Sequence, residues 1–204
     1  WTFASTTVAS HQVMYRWKGL PEGVTLYDEA GNEVVPTVPE SIPGLVNNQS
    51  YDIDTTMPGT VVYTHDEYGN KNASYTLGAW NDPGNGKMGN ADIIVNGVWT
   101  SAEITVPTHH ITYEWKNAPT GKYAQTLPTD TKVYKHNAPY AVDAKYINGY
   151  TVSTHDEYGN VNGSYTFGGW DTAAGTITSD LIIKGTWTFA STTVASHQVM
   201  YRWK

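Results

Sequence analysis

The chain of 204 residues contains no cysteine. That absence excludes disulfide staples, thiol nucleophiles and thiolate metal sites. Charge is sparse as well. Only 15% of residues are Asp, Glu, Lys or Arg, and the net charge is −7. No basic run interrupts this acidic balance, so nucleic acid and anionic membrane surfaces are not expected partners. Long apolar runs are missing too: no stretch of about 18 apolar residues could cross a bilayer as a helix, and no membrane insertion is expected. The opening residues Trp1-Thr2-Phe3 lack the basic and apolar segments of a signal peptide. Helical periodicity never persists beyond about one turn.

Catalytic signatures are equally scarce. There is no Gly-x-Ser-x-Gly and no cysteine to act as nucleophile. The one constellation with metal-ligand character is His65-Asp66-Glu67, repeated as His155-Asp156-Glu157. On a strand His155 and Glu157 share a face, yet zinc requires three or four convergent ligands and no others can be named. Asp156–Asn160 is also too short for a calcium loop. A polar hairpin edge, charged against unwanted pairing, is the simpler reading. No enzyme activity, no cofactor and no metal are therefore expected.

What the chain does have is repetition. Residues 1–18 read WTFASTTVASHQVMYRWK, and residue 187 restarts the same string, which runs to residue 204. An identity of that length requires an underlying period of 186 residues or a divisor of it. A divisor is visible. HQVMYRWK at 11–18 matches HITYEWK at 110–116, THDEYGN at 64–70 returns at 154–160, SYTLGAW at 74–80 matches SYTFGGW at 164–170, and ADIIVNGVWT at 91–100 matches SDLIIKGTWT at 179–188. The offset falls from 98 at the front to 90 in the middle and 88 at the end. Repeat 1 thus carries eight extra residues before its THDEYGN and two more after its SYTLGAW. The first insertion is expected in the Pro-rich stretch Val35–Leu45 and the second in Asn81–Asn90, since loops tolerate insertions. The resulting division is 1–10, the last strand and joint of a preceding repeat; 11–102, repeat domain 1; 103–108, a joint; 109–190, repeat domain 2; and 191–204, a joint and the first strand of a following repeat.

Each repeat reads as β structure. In the strand 110–116, Ile111, Tyr113 and Trp115 alternate with Thr112 and Glu114, a period of two. Tyr150–Glu157 and Ser164–Trp170 are expected to form a hairpin, with Gly159 and Asn162-Gly163 in its turn. Leu181–Phe189 is the expected last strand. The fold class is mostly β, all-β or β-rich with at most one short helix, as two tandem elongated domains arranged head to tail. All eight Trp occupy three repeat-equivalent classes: Trp1, Trp99 and Trp187; Trp17, Trp115 and Trp203; Trp80 and Trp170. A residue that returns in every repeat serves what every repeat needs, and small domains need large apolar side chains. Trp17, Trp80, Trp99, Trp115, Trp170 and Trp187, with Tyr15 and Tyr113, are accordingly assigned to the core.

The stretches YRWKGLPEGVTL at 15–26, LPTDTKVYK at 127–135 and FGGWDTAAGTITSDLIIKGTWTF at 167–189 resemble the SHIRT domain, named for streptococcal high-identity repeats in tandem. The closing stretch is also similar to the internalin B-repeat, with its aromatic-x-Gly-Trp turn and terminal Trp-Thr strand. The resemblance implies a wall-anchored fibrillar adhesin on the surface of a Gram-positive bacterium. It implies an elongated stalk of repeats and a ligand-binding domain at the distal tip, outside this chain. The partners it implies are neighbouring repeats, with host ligands reached only through that tip. A different function is a repeated adhesive module that itself binds host glycan, mucin or protein. A binder should retain one exposed constellation, whereas a spacer should retain core and turns. The retained positions here are aromatics, glycines and turn residues, plus THDEYGN, which favours the spacer.

Overall fold

Period-two alternation organises the strands, and the computed structural model describes residues 2, 4, 6–54, 56–142 and 145–204. The chain divides into two units, Trp1–Val106 and Pro107–Lys204. In unit 1, β1 (Ser10–Lys18) buries Val13 and Tyr15 and leaves Arg16 and Lys18 exposed. The other strands of this unit are β2 (Leu26–Tyr27), β3 (Glu33–Val34), β4 (Ile42–Val46), β5 (Val61–His65), β6 (Lys71–Asn81) and β7 (Ile93–Glu103). They form one seven-stranded sheet in the order β3-β2-β5-β6-β7-β1-β4.

Unit 2 contains β8 (Thr108–His109), β9 (Ile111–Lys116), a single 3-10 turn at Gly121–Tyr123, β10 (Tyr134–Lys135), β11 (Pro139–Ala141), β12 (Thr151–His155), β13 (Val161–Trp170), β14 (Ala174–Thr176) and β15 (Leu181–Ser191). Its main sheet runs β12-β13-β15-β9, with the small pairs β10-β8 and β11-β14 beside it. The class is all-β. Among the described residues no helix is long and apolar enough to cross a membrane.

The two units share a four-stranded frame. β5, β6 and β7 form an antiparallel meander, as do β12, β13 and β15. The first strand then pairs in parallel with the last: Val13↔Ile93 through Lys18↔Val98 in unit 1, and Ile111↔Leu181 through Lys116↔Thr186 in unit 2. An Asp ahead of each last strand fixes the level of the first. Asp92 Oδ1 accepts the Gln12 amide at 3.1 Å, and Asp180 Oδ1 accepts the His110 amide at 2.9 Å. One sheet face is covered by loop segments. In unit 1 Tyr51 and Met88 from these segments, with Leu45 of the edge strand β4, are buried with Val13, Tyr15, Trp80 and Val95.

The first insertion differs from the sequence-based expectation. The Trp17 indole donates to Pro36 O, nineteen residues on, and the Trp115 indole donates to Gln125 O, ten residues on. The extra chain therefore precedes Pro36. It is the β2–β3 hairpin, between Leu26 and Val34, and not the Pro-rich stretch Val35–Leu45. Proline there suggested a tolerant loop; residues 35–41 are strandless, but Ile42–Val46 form β4 and pair with β1.

The repeated hairpin also differs from the sequence-based expectation. Its turn is Asp156–Asn160, and Asn162 and Gly163 lie inside β13. Asp156 N bonds Asn160 O at 2.9 Å, while the Asp156 carboxylate accepts the Tyr158 and Asn160 amides and the Asn160 side chain. Asp66 and Asn70 build the same turn, and so do Asp28 and Asn32 in the inserted hairpin. Asp-Glu-x-Gly-Asn is one turn used three times. Gly163 has a different reason: a Cβ there would stand 2.5 Å from the Phe189 ring.

The chain ends also differ. Trp1, Phe3 and Ser5 lie outside the described residues, and the described positions before Ser10 form no strand. Residues 192–204 form no strand either, although His197–Lys204 repeats the sequence of His11–Lys18. A strand requires a partner to satisfy its amides and carbonyls, and β1 has β7 and β4. Among the described residues no strand pairs with the segment 197–204.

The Asn160 side-chain amide, and then main-chain amides, hold the Asp156 carboxyl below its ordinary value; Asn32 does the same for Asp28. A lowered carboxyl contributes stability above its unfolded value of about 3.9, and that contribution is lost as pH falls through the folded value. Carboxyl titration followed by NMR should place both groups below about 3.9, with the Asn160 and Asn32 amide signals moving in step. Titration at or above that value would contradict the turn assignment.

Candidate functional site

The features that both units retain are a ring cluster and the hairpin that follows it. The cluster begins with a glycine. Gly97 in β7 stands opposite Trp17 of β1 and Trp80 of β6. Gly185 in β15 stands opposite Trp115 of β9 and Trp170 of β13. With no side chain on the middle strand, the two flanking indoles lean over it and stack. Their centroids are 5.0 Å apart at 21° in unit 1 and 5.0 Å apart at 15° in unit 2. A Cβ on Gly97 would stand 2.4 Å from Trp17 and 2.6 Å from Trp80; on Gly185 it would stand 2.5 Å from Trp115 and 2.7 Å from Trp170.

Two further rings close each cluster. Trp99 meets Trp17 edge-on at 5.6 Å, and Trp187 meets Trp115 at 5.7 Å. Tyr15 meets Trp80 at 5.3 Å, and Tyr113 meets Trp170 at 5.1 Å. Edge-to-face contact sets the positive rim of one ring against the negative face of the next. All eight residues assigned to the core from sequence therefore meet within their own unit. Tyr15, Tyr113, Trp80, Trp99 and Trp187 are buried, and Trp17, Trp115 and Trp170 are half-buried at the cluster margin. Trp203 is 99% exposed, consistent with the strandless terminal segment. Trp1 lies outside the described residues.

Several supporting residues were not singled out from the sequence. Gly97 and Gly185 are the chief ones, and their signal was present: a glycine inside a strand marks a close approach by another group. Tyr51 and Tyr134 were also missed. Burial, and then the Asp82 carboxylate 2.7 Å away, push the Tyr51 hydroxyl up to about 12. Burial and then Asp130, also at 2.7 Å, do the same for Tyr134. Each phenol contributes fully below about pH 10, its ordinary value, and loses that contribution as pH rises towards 12.

The His and Asp members of the two His-Asp-Glu segments have separate partners. Asp66 and Asp156 are committed to their turns. His65 stacks on Tyr27 at 4.1 Å, whereas His155 uses its main chain to bind the Tyr123 hydroxyl. Among the described residues no three His, Asp or Glu side chains converge on one point. The shallow depressions are lined mainly by sheet ends and loops. One of about 490 Å³ is lined by Asn117, Ala118, Tyr165, Thr186, Thr188 and Phe189, with the edge of Trp187.

No protein-family model matches this sequence, and no curated protein matches it. Among solved structures the chain is similar to "Streptococcal High Identity Repeats in Tandem (SHIRT) domains 3-4 from cell surface protein", at 11% identity and a TM-score of 0.34, over 89% of this chain and 99% of that one.

The glycine under the stacked pair yields a test with an unusual sign. Gly→Ala in an open strand should stabilise by about 0.5–1 kcal/mol, because Gly loses more backbone freedom on folding. At Gly185 the added methyl must force Trp115 and Trp170 apart, an overpacking cost of about 1–3 kcal/mol. Chemical denaturation of Gly185→Ala should show net destabilisation of unit 2, with a blue-shifted or broadened Trp signal. A neutral or stabilised variant would contradict the cluster geometry.

Proposed function

We propose that this chain is a non-catalytic spacer from a fibrillar adhesin on the wall of a Gram-positive bacterium, projecting a distal ligand-binding domain away from the cell. The observation that carries the reading is the parallel pairing of first and last strands within each unit. The chain comes into unit 1 at the start of β1 and leaves at the end of β7. The register sets Val13 level with Ile93, and β7 then continues to Glu103. Had the pair been antiparallel, start and end would lie side by side, and a repeat would add no length. With parallel strands, the 11 residues of β7 advance the chain by roughly 35 Å at about 3.3 Å each. β15 does the same in unit 2.

The pairing also suits a protein under tension. Pulling the two ends of a unit loads β1 and β7 in opposite directions along their length. Their hydrogen bonds are then sheared together rather than opened one at a time. The joint between the units is short, Ile104–Pro107, between the end of β7 and the start of β8. Its β-branched residues and proline are stiffer than a Gly-Ser linker. The residues retained between units are those that fold a unit, the ring cluster and the Asp-Glu-x-Gly-Asn turn, which favours spacing over a binding surface carried in every repeat. The wall location and the distal tip rest on the resemblance of the YRWKGLPEGVTL, LPTDTKVYK and FGGWDTAAGTITSDLIIKGTWTF stretches to SHIRT domains. Neighbouring repeats are the proposed partners.

Small-angle scattering on the full chain tests the reading. A compact globule of 204 residues would have a radius of gyration of about 17 Å. A head-to-tail spacer should clearly exceed that value, with a pair-distance distribution skewed to long distances. A radius near 17 Å with a symmetric distribution would contradict the spacer.

A further inference from the structure

We propose that the outer edge of β12 in unit 2 is a docking edge for an extended polypeptide strand. It is the place that unit 1 fills with its own inserted hairpin. In unit 1, β2 pairs with β5 at Tyr27↔Tyr63, and β3 returns alongside β2. Leu26 turns inward and is buried with Val62, Leu77 and Trp99. Tyr27 turns outward and stacks on His65 at 16°. Lys71 Nζ bonds the Glu29 carboxylate at 2.9 Å and sits 4.0 Å over the Tyr63 ring. The edge is thus covered in three ways: by main-chain pairing, by an aliphatic side chain within and by an aromatic ring without.

Unit 2 has the same edge without the cover. The shorter path from Trp115 to its carbonyl acceptor omits the hairpin, and β12 ends the sheet. The chain touches this edge through Tyr123, whose hydroxyl accepts the His155 amide at 2.7 Å and donates to His155 O at 3.3 Å. Those bonds show that the His155 main-chain groups face outward. Tyr150 O bonds Phe167 N on the other side. Alternation along the strand then directs the Ser153 and Thr151 main-chain groups outward as well.

The flanking side chains are uncovered in step. Val62 is 3% exposed and Thr64 7%, whereas their counterparts Val152 and Thr154 are only half-buried. His155 is exposed where His65 is half-buried. Tyr146 fills the interior beneath, buried and bonded to Thr126 O at 2.9 Å, so the core is closed while the edge stays open. Tyr150, 42% exposed, stands just before β12. The hairpin seated on the sister edge defines the occupant. It is a polypeptide strand antiparallel to β12, with its main chain opposite Ser153, an aliphatic side chain turned onto Val152 and Tyr150, and an aromatic ring over His155. Main-chain hydrogen bonds would supply the affinity of such strand addition, and the alternate side chains its selectivity.

The test uses a fluorescent peptide with the sequence of residues 24–36, VTLYDEAGNEVVP, added to the full chain. Anisotropy should show saturable binding of one peptide per chain, and amide shifts should be confined to the region of residues 150–155. Ser153→Pro should weaken binding at least tenfold. The Ser153 N–H faces outward, so proline there removes no bond of the β12–β13 ladder, and an unchanged melting curve verifies this. Replacing Leu by Asp in the peptide should likewise abolish binding without touching the protein. No saturable binding up to millimolar peptide would overturn the proposal. Shifts located in unit 1, or equal binding to a folded Ser153→Pro variant, would do the same. The outcome is independent of the scattering test, because a spacer can exist with or without an occupied edge.

Discussion

Two indole rings can stack above a β-sheet only if the strand between them presents no side chain. Strands lie about 4.8 Å apart, so residues two strands apart stand roughly 9.6 Å from each other. Trp17 and Trp80 cross that gap by leaning over Gly97, and Trp115 and Trp170 by leaning over Gly185. A shift of β1 by one residue along β7 would turn Trp17 to the other face. A shift by two would set it against Val95 or Trp99 in place of the glycine. The glycine therefore fixes the register of three strands at once, including the parallel pair that sends the start and end of each unit to opposite ends. Trp99 and Trp187 then close the cluster edge-on, and the loops that carry Tyr51, Met88 and Tyr146 cover it.

Around that shared frame the units differ in how they finish the sheet. Unit 1 extends it with the inserted hairpin on one side and β4 on the other. Unit 2 stops at β12, and Tyr146 and Tyr150 supply rings beside Trp187 where unit 1 uses Leu26 and Val34. The inserted hairpin reuses the Asp-Glu-x-Gly-Asn turn of the neighbouring hairpin, so a single local solution serves both. The longer and shorter units thus differ at their sheet edges while keeping the same four-stranded frame.

The β class and most strands were legible, because period-two patterning is a local signal. Parallel pairing was not. It joins Val13 to Ile93 across most of the unit, and no local pattern encodes it. The Pro-rich segment misled because proline was read as loop punctuation, whereas Ile42–Val46 pairs at the sheet margin, where proline is tolerated. Asn162-Gly163 misled because its glycine answers to Phe189 and not to a turn. The plainest limit is the string WTFASTTVASHQVMYRWK. In its first copy Ser10–Lys18 is a strand, and in its second the strand ends at Ser191 and residues 192–204 form none. Identical residues thus take different states according to the partner beside them, since β preference reflects packing more than an intrinsic backbone tendency.

Parallel pairing of first and last strands carries the chain from one end of each unit to the other. The absence of cysteine makes the direct measurement simple: spin labels on Ser10→Cys and Glu103→Cys would be the only thiol-linked groups in the molecule. Pulsed electron-electron double resonance on that pair should give a single narrow distance of about 30–45 Å, set by the rise per residue of β7. A distance near 10–15 Å would mean that the unit begins and ends at the same place, which the parallel pair forbids.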